Sequence, residues 1–316
     1  LISVRCGVSA LCILRTASNG HFLSRTLHQA DYTMADQSQR VNTRVLVNAV
    51  SAKSGGAATI LRSFCEYASN ETAIQFYVFA GIQPEAHLPE NIEWVILPKS
   101  GMRAWIFNLL SSSVLFWKHK CDILLSFNNV NCPFIKPNKR VTYFHQMLAL
   151  GNDPKKSIKY RLIHLYHRMF SDQIVVQTET VKNTYLREFP LRNVITCWPG
   201  TAFSVDTDCT ASQPKIDKTI LVPISDISAP HKNFDFVIDL AEKLPIEWRV
   251  LVTTDRVPNS KNIFAAGVLD HKGMRQAMKS ADFVLFTSKV ETVGLPIFEA
   301  ISLGTPVIAF DAPYVQ

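Results

Sequence analysis

From residue 44 onward, short apolar runs rich in Val, Ile and Phe alternate with amphipathic stretches. The runs at 44–50, 74–80, 92–97, 122–127, 140–144, 173–177 and 194–197 show little polar alternation, as strands buried on both faces do. Helical patterns fall between many of them, at 57–68, 102–118, 157–170 and 181–188. Such strand–helix alternation predicts a doubly wound α/β domain. Residues 199–218 then disperse Thr, Ser, Asp and Pro without periodicity, which reads as a linker. The alternation restarts with strands at 219–223, 248–252, 264–268, 283–287 and 306–309, and helices at 234–244, 272–280 and 296–303. The expected architecture is two Rossmann-like domains facing a cleft, at 41–200 and 218–316, joined by a linker at 201–217. Ligands of such sheets bind at the carboxyl ends of the strands.

Both ends depart from this pattern. Residues 1–30 hold Arg5, Arg15 and Arg25, several serines and no acid, which resembles a transit peptide. The plainer reading is upstream sequence before a start at Met34, and residues 1–40 are set aside from the fold. The chain stops at Gln316, just after a strand-like run, so the second domain is expected to be an incomplete fragment.

Composition narrows the class. The 316 residues are 47% hydrophobic and 19% charged, with mean hydropathy +0.08, a globular balance able to bury large cores. The net charge of +7 favours anionic partners, but no long Lys/Arg block marks a nucleic-acid binder. The seven cysteines are odd in number and irregularly spaced, with no CxxC, and read as reduced thiols of a cytoplasmic protein. No run reaches eighteen apolar residues. The amphipathic stretch 102–117 could touch a membrane surface, although packing in the core is the preferred reading.

The chemistry concentrates in ETVGLPIFEAISLGTPVIAFD, residues 291–311. Glu291 follows a predicted strand, on the loop at its carboxyl end. Pro296 suits the first turn of the next helix. Gly294 lets the backbone pass close to a ligand, and the free N–H groups of Gly294 and Leu295 suit a phosphate. Glu299 lies one turn inside that helix. Alone, Glu299 would merely face the helix dipole and Glu291 would be a solvated loop charge. Together, eight residues apart with Gly-Leu-Pro between them, they can bracket a polyhydroxylated ligand.

This Glu-x7-Glu segment resembles the donor-site motif of retaining glycosyltransferases of the GT-B fold, most like glycosyltransferase family 4. LVPISDISAPHKNFDFVIDLAEKLP (221–245) and IFAAGVLDHKGMRQAMKSADFVLFTS (263–288) extend the likeness, which spans about 44–311 and is weaker before 218. The resemblance implies that Glu299 binds the nucleotide ribose, Glu291 lies near the donor sugar and Lys232 contacts the diphosphate. A fixed cation there would stabilise charge building on the leaving phosphate. The family often has an Arg five or six residues before that Lys; here Asp226 and Ile227 stand instead, so a second phosphate clamp is missing or supplied elsewhere.

In the first domain, Gly55-Gly56 resembles the glycine-rich loop of these enzymes, and it is not the GxGxxG of a dehydrogenase. Lys53 reads as solvated. His145, at a strand end, resembles the His that contacts the donor sugar near its reacting carbon; a hydrogen-bonded strand-end His is the equal alternative. The basic, aromatic segment 153–170 could rest on an anionic membrane or hold a phosphorylated acceptor, and otherwise is a solvated helix face. Asp206-Thr-Asp208 has the metal-binding D-x-D pattern of GT-A transferases, but it sits in the linker, and no metal or other cofactor is expected beyond the nucleotide-diphosphate sugar as substrate.

The function implied is transfer of a sugar, with retained configuration, to a glycan or lipid-linked acceptor in polysaccharide or glycolipid synthesis. The expected location is cytoplasmic, with peripheral contact at the inner face of a membrane. One rival is a non-catalytic GT-B protein that binds nucleotide sugars or a partner. Another is a phosphorylase or nucleotide-sugar hydrolase.

Overall fold

The computed structural model describes residues 43–53, 55–84, 87–136, 139–147, 165–166, 169–189, 193–200 and 216–315. The chain divides into two compact units, Leu1–Gly200 and Thr201–Gln316. The leader, most of the linker, the D-x-D and most of the basic segment lie outside the described residues.

Unit 1 is built on strands β1 Thr43–Ala49, β2 Ile74–Ala80, β3 Ile92–Ile96, β4 Ile123–Ser126, β5 Arg140–Tyr143, β6 Gln173–Val176 and β7 Val194–Thr196. Every pairing is parallel, in the order β3-β2-β1-β4-β5-β6-β7. Helix α1 spans Gly55–Ala68. Helix α2 runs unbroken through Gly101–Ile106, Phe107–Ser111 and Ser112–Lys118, and its middle segment is a π turn. Helix α3, Glu179–Glu188, starts where Thr178 accepts a hydrogen bond from the Val181 N–H at 3.2 Å, which satisfies one orphan donor of the first turn. Strands this apolar need cover on both faces. Leu46, Phe107, Phe116 and Leu124 form one buried cluster, and Phe144, Ile174, Val176 and Tyr185 another.

Unit 2 repeats the plan with β8 Thr219–Val222, β9 Arg249–Val252, β10 Ile263–Ala265, β11 Phe283–Phe286 and β12 Val307–Ala309, all parallel, in the order β10-β9-β8-β11-β12. Helices α4 Phe234–Lys243, α5 His271–Ser280 and α6 Leu295–Ser302 connect them. Asp270 caps α5 by accepting the Gly273 N–H at 2.7 Å. The predicted strand at 264–268 ends early, because Gly267 takes a left-handed turn at φ 78°. The helix expected at 102–118 forms, but it is packed on one face only.

In both sheets the strand order reverses once, between β1 and β4 and between β8 and β11. Connections leave in opposite directions there, so the loops diverge and open a crevice at the carboxyl ends.

The four described cysteines, Cys65, Cys121, Cys132 and Cys197, are free thiols and buried. Burial pushes Cys65 up to about 12, so it stays a protonated, unreactive thiol at neutral pH.

Candidate functional site

At the switch point of unit 2, two loops leave neighbouring strands. The loop after β8 ends in the short 3-10 turn Pro230–Lys232, and the loop after β11 leads to Gly294. Hydrogen bonds tie the loops together: the Thr287 hydroxyl donates to the Lys232 carbonyl and the Lys289 N–H to the His231 carbonyl, both at 2.7 Å. Asn233 turns the chain out of the 3-10 turn with φ 56°, a region asparagine tolerates.

This anchoring sets the Lys232 ammonium 2.6 Å from the Glu291 carboxylate, both side chains half-buried. The pair joins two residues expected to share a ligand, although they stand 59 positions apart. His231 beside them has its pKa lowered by burial and by Lys232, against opposing pulls from Glu291 and Asp226. Asp226, at the position without the expected Arg, is exposed and bonds its own turn, accepting the Ser228 N–H at 3.0 Å and hydroxyl at 2.6 Å. Those two bonds, the hydroxyl first, hold its pKa below the usual value.

Glu299 is 6% exposed, on the buried face of α6 with Leu295, Ile297 and Ala300. Burial alone raises its carboxyl to about 7. Gly294 opens α6 at φ 72°, a left-handed conformation that glycine adopts without a Cβ penalty. Its Cα side is packed against Tyr314: an added Cβ would stand 3.0 Å from Cε2 of that ring and 3.2 Å from Ile297 Cδ1. The Tyr314 hydroxyl donates to the Ser288 carbonyl, and its ring meets Phe286 edge-on. Leu295 is buried. Tyr314 and Ser288 were not singled out from the sequence. The Ser288 hydroxyl is buried with no partner in the structure, an orphan polar group on the loop that leads from β11 to Glu291.

Gly55, Gly56 and His145 belong to unit 1, at the carboxyl end of its sheet. Gly55 begins α1 with φ 61°, and nothing lies within 4 Å of where its Cβ would be, so the approach to this turn is open. His145 follows β5; its N–H donates to Asn129 Oδ1 at 2.8 Å. Its Nδ1 is enclosed without a partner, and burial lowers the ring to about 4, so it is neutral at physiological pH.

Behind the Gly55 loop lies a network the sequence did not advertise. Asn48 at the end of β1 donates to Asn108 Oδ1 at 2.7 Å, and Asn128 after β4 donates to Asn48 Oδ1 at 2.6 Å and to Asn108 Oδ1 at 3.0 Å. Asn128 in turn accepts the Ser51 N–H at 3.1 Å, fixing the start of the glycine loop. Asn108 sits in the π turn of α2, buried. A π turn is rare and gathers at functional sites. Asn108→Ala leaves the buried Asn48 amide without its acceptor, while Asn128 keeps its bonds to Asn48, and urea unfolding should show a loss of about 1–3 kcal/mol.

Among the described residues, no three His, Cys, Asp or Glu side chains gather closely enough to hold a metal ion. The Asp206-Thr-Asp208 pattern lies outside them.

Residues 210–316, about a third of the chain, match the family model described as Glycosyl transferases group 1. Among curated proteins, none matches the chain. Among solved structures, WaaG, a glycosyltransferase involved in lipopolysaccharide biosynthesis, has a TM-score of 0.64 at 15% identity, over 86% of this chain and 82% of its own. HepE of Anabaena, in complex with UDP-glucose, has a TM-score of 0.63 at 15% identity, over 86% and 81%. Sucrose-phosphate synthase of Thermosynechococcus elongatus has a TM-score of 0.61 at 13% identity, over 87% and 82%. At these identities the likeness is one of fold: each unit has the parallel sheet of the GT-B architecture. The matched residues include Lys232, Glu291, Gly294, Leu295 and Glu299.

Proposed function

We propose that the protein moves a sugar from a nucleotide-diphosphate sugar to an acceptor hydroxyl with retention of anomeric configuration, in the manner of glycosyltransferase family 4. The observation that carries this reading is the Lys232–Glu291 pair, 2.6 Å apart at the switch point of unit 2. An ammonium held there by backbone anchors is placed to take the diphosphate as negative charge develops on it. Glu291 would then turn to the hydroxyls of the sugar, and ionised Glu299 would accept the ribose diol. Pro296 and Gly294 set the α6 N-terminus, whose N–H groups favour the phosphates. Gly55 and Gly56 let the unit 1 backbone approach the substrates, and neutral His145 would hydrogen-bond a sugar hydroxyl through Nε2, since its Nδ1 is enclosed.

The departing diphosphate itself would help deprotonate the acceptor, so the reading requires no covalent enzymic nucleophile. The proposed acceptor is a glycan or a lipid-linked sugar of the cell envelope, and the proposed location is the cytoplasm. The HepE structure contains UDP-glucose, which makes UDP-sugars the first donors to try.

Asp226 supports the non-catalytic alternative. It is engaged with Ser228 and places a negative charge near Lys232, where the resemblance calls for a cation. Calorimetric titration of UDP-, GDP- and ADP-sugars into wild type, Lys232→Ala and Glu299→Ala tests the reading. One nucleotide should bind, and both substitutions should weaken it. Binding without turnover on any glycan or lipid-linked acceptor would favour the alternative, and no binding to folded protein would reject transfer and leave only the partner-binding form of the alternative.

A further inference from the structure

We infer that the outer face of α2 docks the protein on an anionic lipid surface. Along this helix Met102, Ile106, Leu110, Val114 and Trp117 are all exposed, from 49% at Ile106 to 75% at Met102. The opposite face is buried, with Ala104, Phe107, Ser112 and Phe116 against unit 1. A helix that is apolar on both sides has a second surface seeking cover. Soluble monomers scatter exposed apolar residues and rarely align five of them.

The π turn keeps the stripe straight. Positions four apart drift around an α-helix of 3.6 residues per turn. The i→i+5 turn at Phe107–Ser111 rotates less per residue and cancels part of that drift. The strand that leads into α2, the edge strand β3, also exposes Val95 and Ile96.

Charge selects the occupant. Between Glu93 and Asp122 the chain has no acidic residue, while Lys99, Arg103, Lys118 and Lys120 stand at the two ends of the stripe. A second copy packed face to face and antiparallel would bring Arg103 against Lys118, a like-charge contact that disfavours association. A bilayer accepts the apolar stripe below its headgroups and offers phosphates to cations at both ends. Trp117 suits that boundary, with an apolar ring and one N–H donor. No described helix is long and apolar enough to cross a membrane, so the helix would lie in the interface. The exposed stripe uses none of the donor-site residues, so this docking holds or fails separately from the proposed transfer reaction.

Co-sedimentation of the full chain with phosphatidylcholine vesicles, with and without phosphatidylglycerol, tests it. Wild type should pellet with the anionic vesicles and weakly with the neutral ones. Leu110→Gln/Val114→Gln should abolish pelleting with an unchanged melting temperature, since both side chains already face solvent. Arg103→Glu/Lys118→Glu should cost about tenfold or more, and added salt should weaken wild type. Failure to pellet with either vesicle, or equal pelleting of the Gln double variant, would overturn the assignment. So would a wild-type dimer in light scattering that this variant disperses, because the stripe would then belong to a second copy.

Discussion

Lys232→Ala lowers the affinity for the nucleotide-diphosphate sugar about 10–100-fold, because a hydrogen bond to a charged group is worth about 1.5–3 kcal/mol. The same change barely moves stability. The Lys232–Glu291 pair is 25% and 21% exposed, and ion pairs so open to water contribute about 1 kcal/mol or less. A lost titration signal together with an unchanged melting temperature therefore isolates the ligand contact.

The partner substitution separates roles. In the free protein the Glu291 carboxylate occupies Lys232 and would repel a diphosphate. Glu291→Gln removes both effects, so the free nucleoside diphosphate should bind more tightly to this variant than to wild type. The sugar nucleotide should gain less, and transfer should fall, since Gln cannot accept as strongly from sugar hydroxyls. Calorimetry with both ligands decides it. Weaker binding of the bare diphosphate to Glu291→Gln would mean that Glu291 only orients Lys232.

The second large effect belongs to Glu299. Its carboxyl is raised from the ordinary 4.5 to about 7 by burial. A carboxyl with a raised folded pKa binds its proton more tightly folded than unfolded. The stability this confers is present below about 4.5 and is lost as pH rises toward about 7. Over that window wild type should lose about 3 kcal/mol relative to Glu299→Gln in urea unfolding, and the gap should stay level above it.

Ligand binding follows the opposite trend. A ribose diol donates to the ionised carboxylate, so affinity should rise with pH up to about 7 and then level. Binding near pH 6 should release a proton, read from titrations in two buffers of different ionisation enthalpy. Glu299→Gln should bind weakly at all pH values and release none. An affinity that is flat from pH 5 to 8 in wild type would remove Glu299 from the ribose site.

Much of the fold was legible because buried parallel strands are continuous apolar runs and helices between them keep their own period. Each expected strand formed, as did every expected helix within the described residues. Boundaries shifted where local backbone decided them, as at Gly267 after β10. The candidate donor residues were legible because Glu291, Gly294, Pro296 and Glu299 fall within one strand–loop–helix passage, where spacing alone sets their order. The wider likeness of 221–245 and 263–288 added Lys232.

Only the tertiary structure decided what those residues do to one another. Lys232 meets Glu291 because β8 and β11 are adjacent in the sheet, a contact between distant positions that no local pattern encodes. Glu299 is raised toward neutrality because the face of α6 that carries it packs inward, and spacing cannot say which face that is. Asn48, Asn108 and Asn128 are three ordinary amides until strand order and a π turn bring them within hydrogen-bond reach. The stripe from Met102 to Trp117 was expected to pack in the core, and the sheet can cover only one side of a helix apolar all round. Sequence by itself determined the elements, their alternation and the candidate donor residues, because those depend on local period and spacing. Pairing, burial and exposure came from long-range packing, which chooses among faces that the local pattern leaves equivalent.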